Sequence, residues 1–344
     1  MFLFQDLIVD WYHNFKRDLP WRNTQNPYEI WLSEIILQQT RVDQGLPYYQ
    51  KFISHFPTVF ELANADEQEI LNDWQGLGYY SRARNLHKTA KEIVTLYNGI
   101  FPDNYQDLLK LTGIGPYTAA AISSFAFNEV KAVVDGNVYR VLSRFYDIEV
   151  AIDSTTGKKT FDKLANELID SKQPAIYNQA IMEFGALQCV PVNPNCEICP
   201  LRMQCLSLKN NTIALRPVKT KKTKTTLRYF VYEIKVNKFN KFILEKREGK
   251  DIWHGLYQFP LKEFASQVEK DHYIENLKSD FVSKEYKHIL SHQRILATFV
   301  LEKMEHSHLN ANQIEVRIED FPDFPVPRLM DKFWEEHCGL VQGL

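Results

Sequence analysis

Two carboxylates stand in settings that suit them to cleave a glycosidic bond. Asp135 lies in the segment VVDGNV, after an apolar run and before a helical pattern. It could cap that helix. Held ionised at the start of the helix, it could also stabilise a positive charge that develops during a reaction. Glu34 lies in WLSEIILQQT, where helical spacing places it with Ile30 and Leu37; an acid on an apolar face has a raised pKa and can carry a proton at neutral pH. Glycosidic cleavage uses one protonated and one ionised acid, although a buried structural glutamate and a plain helix cap are the simpler readings.

Four of the five cysteines crowd into one short stretch: Cys189, Cys196, Cys199 and Cys205 are separated by six, two and five residues. Four thiolates on one loop can hold zinc or an iron–sulfur cluster. Zinc ribbons pair two short CxxC-like knuckles across a longer gap, and only one CxxC is present here. The spacing therefore argues against a ribbon but leaves both metals open. In an intracellular protein it indicates a metal centre before a disulfide scaffold.

The segment LTGIGPYTA, residues 111–119, has two glycines that flank an isoleucine. Gly113 and Gly115 permit a tight turn, and Pro116 falls near the first helical position, where its missing N–H costs little. Backbone amides at such a turn can bind phosphate without reading sequence. The alternative is an ordinary helical hairpin.

The elements that must position these residues divide by pattern into three regions. Residues 1–206 show helical spacing between proline and glycine breaks and predict an all-α region, which holds both carboxylates. Residues 207–226 are polar and lysine-rich and predict an exposed linker. Residues 227–344 predict a separate α+β domain. Its strand-like runs lie at 229–236, 242–244 and 295–300, and its helical pattern lies around 262–277.

The composition sets broad limits on what the protein can be. With 344 residues, 44% of them hydrophobic, the chain can form two or three packed units and is not of the disordered class. The net charge of −2 does not favour nucleic-acid binding, but the local distribution of charge matters more than the sum. The start does not resemble a secretion signal, and no run approaches the ~20 apolar residues of a membrane span. We therefore expect a soluble, cytoplasmic protein without membrane contact.

Six segments together resemble the MutY family of adenine DNA glycosylases, in the helix-hairpin-helix, endonuclease III superfamily. They are LPWR at 19–22, SEIILQQT at 33–40, GLGYYSRARNLH at 76–87, LTGIGPYTA at 111–119, VDGNV at 134–138 and the four-cysteine loop. The resemblance covers residues 1–206 densely and the remainder thinly. It implies a multidomain fold, with an all-α helix-hairpin-helix glycosylase core, a [4Fe-4S] loop, and a C-terminal α+β Nudix-like domain for lesion recognition.

The resemblance also implies the reaction and the substrate. The enzyme would be a monomeric, monofunctional glycosylase of base excision repair, acting in the cytoplasm at the nucleoid on duplex DNA with A:8-oxoguanine or A:G mispairs. Bifunctional relatives carry a lysine that attacks the sugar where this chain has Tyr117, and a tyrosine cannot form a Schiff base. The C-terminal region lacks the Nudix pattern GX5EX7REUXEEXGU, so we expect no pyrophosphate hydrolysis.

By match of positions, Glu34 would protonate adenine at N7 and help to activate water, and Asp135 would stabilise an oxocarbenium-like sugar. Tyr117 and Asn137 would organise these two acids. The implied contacts with DNA are Trp21, Arg22, Leu37 and Gln179 in the adenine pocket, Gln39 and Tyr79 inside the duplex, Gly113 and Gly115 in the hairpin, and Ser291 and His292 on the oxidised base. The implied ligands of the [4Fe-4S] cluster are Cys189, Cys196, Cys199 and Cys205.

The chain departs from the family pattern in places, and two other functions stay open. Gln179 and Tyr139 stand where some relatives carry glutamate and lysine, and Leu290 stands where an aromatic residue is usual. One alternative function is a bifunctional, endonuclease III-like glycosylase that acts on oxidised pyrimidines. The other is a non-catalytic DNA-binding protein that uses the hairpin and the cysteine loop only for docking.

Overall fold

The computed structural model describes residues 3–220, 225–305 and 309–343. The helices are α1 (Phe4–Phe15), α2 (Pro27–Ile36), α3 (Val42–His55), α4 (Val59–Asn64), α5 (Glu67–Asp73), α6 (Ser81–Tyr97), α7 (Tyr105–Leu108), α8 (Pro116–Phe127), α9 (Gly136–Phe145), α10 (Thr155–Leu168), α11 (Pro174–Leu187), α12 (Leu206–Lys209), α13 (Gln267–Glu275) and α14 (Arg328–Gln342). The strands are β1 (Thr226–Asn237), β2 (Lys241–Lys246), β3 (Tyr257–Gln258), β4 (Leu261–Phe264), β5 (Phe281–Val282), β6 (Tyr286–Ile289), β7 (Gln293–Met304) and β8 (Gln313–Arg317). None of the helices within these ranges has the length and apolar character needed to cross a lipid bilayer.

The chain forms two compact units, and residues 65–87 group with the C-terminal one. The first unit comprises residues 1–64 and 88–221, and the second comprises 65–87 and 222–344. Long-range hydrogen bonds join residues 65–87 to the rest of the second unit. Asn72 Nδ2 donates to the carbonyl of Asp323 at 2.7 Å, and the Tyr80 hydroxyl donates to the carbonyl of Val326 at 3.3 Å. These pairs are about 250 residues apart, so no local pattern in the sequence could have revealed them.

The first unit is all-α, and α8 and α9 begin where the sequence predicts, at Pro116 and directly after Asp135. Pro27, Pro116 and Pro174 occupy the first turns of α2, α8 and α11, where a missing N–H costs no hydrogen bond. Asn26 and Asp135 cap α2 and α9 with their side chains. Helix α11 packs against both α1 and α9. The hydrophobic core at this junction includes Ile8, Trp11, Val141, Leu142, Phe161, Tyr177, Ile181 and Phe184.

The second unit contains a mixed eight-stranded sheet in which β3, β2, β1, β7 and β5 follow one another. The two long strands β1 and β7 run parallel, in register from Thr226 opposite Gln293 to Asn237 opposite Met304. Strand β4 pairs with β1, β6 with β7 and β8 with β2. Helix α14 contributes Met330 and Phe333 to the core of the sheet. The predicted α+β class is confirmed, although β3, β4, β5, β6, β8 and α14 were not predicted individually. The helical pattern predicted around 262–277 was too long, because its first residues form β4 and the helix α13 spans only Gln267–Glu275.

The predicted linker, residues 207–226, is only partly exposed along its first half, where Ser207 and Arg216 are buried. Helix α12 begins just before it, and Arg216 is 6% exposed and forms an ion pair with Asp147, Nε to Oδ1, at 2.9 Å. The polar composition predicted a solvent-exposed segment, but the charge of Arg216 is paired with that of Asp147 within the first unit. Residues 221–224 of the predicted linker lie outside the described residues.

Candidate active site

A cavity of about 600 Å³ in the first unit brings together eight residues that the sequence singled out. The turn Pro20–Arg22, α2, α8, α9 and α11 all contribute to its wall. The eight are Trp21, Arg22, Glu34, Leu37, Tyr117, Asp135, Asn137 and Gln179. They come from five separate stretches of sequence, so their assembly is a property of the fold.

Glu34 lies on α2, is 7% exposed and faces the cavity. Burial raises the pKa of its carboxyl to about 7, and the negative charge of Asp135 adds to this effect. A hydrogen bond with Tyr117 and the positive charge of Arg22 act in the opposite direction. At neutral pH a substantial fraction of Glu34 therefore holds a proton.

Asp135 is both a helix cap and a cavity residue. Its Oδ1 accepts the backbone N–H groups of Asn137 and Val138, each at 2.8 Å, and its Oδ2 accepts Asn137 Nδ2 at 2.7 Å. Burial raises the pKa of Asp135, and these three hydrogen bonds oppose the rise. The three N–H donors favour the carboxylate form of Asp135.

Asn137 is held by residues that the sequence analysis did not identify. Arg140 Nη2 donates to Asn137 Oδ1 at 2.8 Å, and Arg140 Nε donates to the carbonyl of Cys189 at 2.7 Å. Gly185 on α11 allows the close approach, since a Cβ there would lie 2.6 Å from the Cβ of Asn137. The only sequence signal for Arg140 is its place one helical turn after Asn137.

Glu183 is a buried acid of the cavity wall that the sequence analysis also missed. It is 1% exposed and accepts two hydrogen bonds from each of two guanidinium groups. Arg17 donates at 2.8 and 2.6 Å, and Arg22 donates at 2.9 and 2.7 Å. Burial alone would raise the pKa of Glu183, but these bonds outweigh it and lower the pKa to about 2. Arg22 thus lines the predicted pocket with both Nη atoms already bonded to Glu183.

Replacing Glu183 by glutamine should lower the free energy of unfolding by about 3 kcal/mol, because two guanidinium groups lose their carboxylate. The value of about 3 kcal/mol is the lower end of the range for breaking a buried ion pair. We use it because the Arg17 side chain is 34% exposed. The pKa is depressed in the folded state, so this contribution is complete above pH 4.5, the ordinary value, and is lost as the pH falls towards 2. Urea unfolding at pH 7 and at pH 3 measures both effects.

The matched control for this prediction is Glu167→Gln. Glu167 pairs with Lys163 at 3.8 Å, and both side chains are exposed, at 60% and 78%. Breaking that pair should change the free energy of unfolding by no more than about 0.5 kcal/mol. Equal losses in the two variants would contradict the role assigned to Glu183.

Gly113 and Gly115 of the predicted hairpin, and Gln39, lie outside the cavity wall. Gly113 has a φ of +73°, which requires glycine, and Ile114 beside it is 5% exposed and anchors the turn. Gly115 precedes α8 as its N-cap. Gln39 follows α2 and holds a left-handed φ of +57°, a sparsely populated conformation for a residue with a side chain.

The second unit brings three other predicted residues to a cavity of its own, about 340 Å³ in volume. Tyr79 is 43% exposed and has a φ of +48°. Ser291 and His292 form the exposed turn between β6 and β7, with the Ser291 Oγ 3.1 Å from His292 Nδ1. All three side chains line the same cavity, together with Trp253 and other residues.

The four clustered cysteines line a third, small cavity in the first unit. Arg144 Nη1 approaches Cys189 Sγ at 3.6 Å, and no disulfide joins any cysteine that the structure describes. Within the described residues, no three His, Cys, Asp or Glu side chains are grouped to hold a single metal ion. Four thiols that line one cavity are ligands of the type that iron–sulfur clusters and zinc use.

Comparison with known proteins identifies both parts of the chain. Residues 32–168 match the HhH-GPD superfamily of base excision DNA repair proteins, and residues 231–336 match the NUDIX domain. The adenine DNA glycosylase of Buchnera aphidicola subsp. Baizongia pistaciae is 41% identical over 303 residues, which are 84% of this chain and 83% of that protein. The human adenine DNA glycosylase is 40% identical over 211 residues, 59% of this chain and 39% of that protein.

Solved structures agree with these matches. A thermostable thymine-DNA glycosylase has a TM-score of 0.57 and 30% identity, and covers 60% of this chain and 95% of its own. An endonuclease III trapped as a covalent intermediate with DNA has a TM-score of 0.53 and 23% identity, and covers 60% of this chain and 95% of its own, which shows a shared fold. The predicted helix-hairpin-helix core and Nudix-like domain are confirmed. The chain therefore belongs to the adenine DNA glycosylase family, enzymes of base excision repair.

Proposed function

We propose that this enzyme removes adenine from A:8-oxoguanine and A:G mispairs in duplex DNA, acting as a monomer on nucleoid DNA in the cytoplasm. The observation that carries the proposal is the pair of buried carboxyls in one cavity. Glu34 has a pKa of about 7 and Asp135 accepts three N–H hydrogen bonds. One acid is thus suited to deliver a proton, and the other to face a positive charge.

The reaction follows from these two protonation states. Adenine leaves the duplex and enters the cavity, and Glu34 gives its proton to N7. The electron pair of the C1′–N9 bond then departs with the base, and the Asp135 carboxylate stabilises the oxocarbenium-like sugar. Water adds to C1′ and gives its proton to Glu34, which restores the acid.

The same cavity supports a glycosylase without strand cleavage. Tyr117 occupies the position of the lysine nucleophile of bifunctional relatives, and it hydrogen bonds with Glu34. Burial raises the pKa of the Tyr117 phenol well above its ordinary value. A buried neutral phenol offers no amine for a Schiff base, so borohydride should trap no covalent adduct.

Recognition of the opposite base is assigned to the second unit. Ser291 and His292 offer hydroxyl and imidazole groups beside an aromatic side chain, Tyr79, in one cavity. An oxidised guanine differs from guanine in its hydrogen-bonding groups at N7 and C8, so polar side chains at an exposed turn suit its recognition.

The cavity between the four cysteines is proposed to hold a [4Fe-4S] cluster, which would tie the loop to α9 and α11 and support DNA binding. The Cys199→Ala variant should lose the visible absorption of the cluster and bind a non-cleavable duplex at least about tenfold more weakly. Cys338→Ala, outside this cavity, is the control and should retain both properties. Full cluster content in Cys199→Ala would contradict the assignment.

The central test is single-turnover adenine release from a duplex with an A:8-oxoguanine pair, beside an A:T control. The proposal requires release from the mispair alone, with strand breakage only after alkali. Breakage without alkali, or a borohydride adduct, would favour the bifunctional alternative. Binding without release from either duplex would favour the docking protein.

A further inference from the structure

We propose that Asn178, on α11, is a positioning residue for Asp135 and fixes the stretch of chain that brings this carboxylate to the cavity. Residues 128–135 connect α8 to α9 and belong to neither a helix nor a strand. The inference rests on the proposed role of Asp135 in adenine release. Asn178 itself does not line the cavity, so it acts through Asp135 and not on the substrate.

The first step is the need of this connection for hydrogen-bond partners. Ala132 and Val133 are 4% and 1% exposed, and the first unit, where the structure describes it, contains no β-strand that could pair with them. A buried backbone N–H group without an acceptor is costly. Asn166 Oδ1 accepts the N–H group of Ala132 at 3.1 Å, and Asn178 Oδ1 accepts that of Val133 at 3.0 Å. Two asparagine side chains thus supply the acceptors that a neighbouring strand would otherwise provide.

The second step is the number of groups that Asn178 joins. Its Nδ2 donates to the carbonyl of Lys131 and to Ser124 Oγ, each at 2.9 Å. One side chain on α11 is therefore bonded to α8 and to two positions of the connection. A half-turn of the amide would place N–H against N–H at Val133 and oxygen against oxygen at Lys131, so its orientation is fixed. Because Asn178 is only 1% exposed, these bonds are shielded from solvent.

The third step is the link from Val133 to the carboxylate. Val133 lies two residues before Asp135, which is the N-cap of α9. The N–H groups of Asn137 and Val138 fix the carboxylate on its own helix, but they do not fix the path by which the chain enters that helix. Asn178 supplies this second restraint from α11, the helix that packs against α9. A displacement of the carboxylate by about 1 Å can cost roughly 10²-fold in rate.

The experiment is a double-mutant cycle between Asn178 and Asp135, with single-turnover adenine release from an A:8-oxoguanine duplex as the readout. Asn178→Leu has the same branched shape and removes the hydrogen bonds to Val133, Lys131 and Ser124. We expect it to slow release by about 10²-fold in the wild-type background. In the Asp135→Asn background no carboxylate remains to be positioned, so Asn178→Leu should change the residual rate by no more than about twofold.

Urea unfolding of the same proteins separates positioning from stability. Loss of the buried hydrogen bonds of Asn178 lowers the free energy of unfolding whichever residue stands at position 135, so this loss should be equal in the two backgrounds. Rates are measured at saturating enzyme, on protein that circular dichroism shows to be folded. A rate loss that is also equal in the two backgrounds would overturn the proposal, because it would show an effect that does not act through Asp135.

A milder variant keeps the inference testable if Asn178→Leu does not fold. Ser124→Ala removes one acceptor of the Asn178 amide, and we expect it to slow release by about fivefold, the order of one neutral hydrogen bond. The matched control is Ser123→Ala. Ser123 is the neighbouring, fully buried residue of α8, and its Oγ donates to the Ala120 carbonyl of the same helix at 3.3 Å. Equal losses of rate in the two serine variants would contradict the role assigned to Asn178.

The outcomes also separate this inference from the proposed function. If Asp135→Asn releases adenine as fast as the wild type, the proposed role of Asp135 fails and the inference fails with it. If Asp135→Asn is slow but Asn178→Leu keeps the wild-type rate, only the positioning role of Asn178 is overturned. Absence of adenine release from the wild type would overturn both proposals.

Discussion

Adenine release should fall by about 10³-fold when Glu34 is replaced by glutamine, because a glutamine has no proton to give to the leaving base. The substitution preserves shape, and an amide oxygen can still accept from the Tyr117 hydroxyl. It also removes a carboxyl whose ionised form is disfavoured by burial. We therefore expect the variant to fold and to bind mispaired DNA as the wild type does.

The measurement is the single-turnover rate on an A:8-oxoguanine duplex, with DNA affinity measured in parallel. Glu29→Gln is the matched control, because Glu29 lies on the same helix, outside the cavity wall. It should stay within about twofold of the wild-type rate. A Glu34→Gln rate within tenfold of the wild type would remove Glu34 from the role of general acid.

The pH dependence of the adenine-release rate should follow the ionisation of Glu34. The active form of Glu34 is protonated, and its pKa is about 7, raised by burial and then by the charge of Asp135. The rate should therefore be highest below about pH 7 and fall roughly tenfold per unit above it. The residual rate of Glu34→Gln should not show this decline. A wild-type rate that rises from pH 7 to pH 9 would contradict acid catalysis.

The sequence predicted best where function depends on local geometry. Asp135 follows an apolar run and precedes a helix, and a cap needs only the next few residues, so its hydrogen bonds to residues 137 and 138 follow from the chain itself. Gly113 is similar, because its φ of +73° belongs to the turn itself and favours glycine there. The apolar face that carries Glu34 was visible in helical spacing, and the structure confirms that it is buried.

The sequence predicted least where buried charged residues that are far apart along the chain form ion pairs. Glu183 binds Arg17 and Arg22, which lie more than 160 positions earlier, and nothing local distinguishes it from an exposed helical glutamate. The hydrogen bond between Tyr12 and Gln179 joins residues that are equally far apart, at 167 positions. The grouping of residues 65–87 with the second unit has the same origin. Short strands such as β3 and β5 were missed because two residues carry no periodicity.

Asp135→Asn should also slow adenine release by about 10³-fold, because it removes the negative charge that faces the oxocarbenium-like sugar. The helix cap should survive, since an amide oxygen can still accept the N–H groups of Asn137 and Val138. The second carboxylate oxygen is replaced by an NH₂ group, which then meets Asn137 Nδ2. Asn137 cannot turn away freely because Arg140 holds its Oδ1 at 2.8 Å, so two donors face each other.

Asp135→Asn changes both the charge at position 135 and the hydrogen bonding with Asn137. A second variant can separate these two effects. In the double variant Asp135→Asn with Asn137→Asp, the new carboxylate can accept both from the amide at position 135 and from Arg140. The double variant should recover the free energy of unfolding that Asp135→Asn loses, while its adenine release stays low, because the charge has moved away from the position that faces the sugar. Single-turnover release and urea unfolding, measured on the same preparations, test this directly. Recovery of the rate together with stability would show that Asp135 acts only as a helix cap, which is the simpler role that its position in the sequence always allowed.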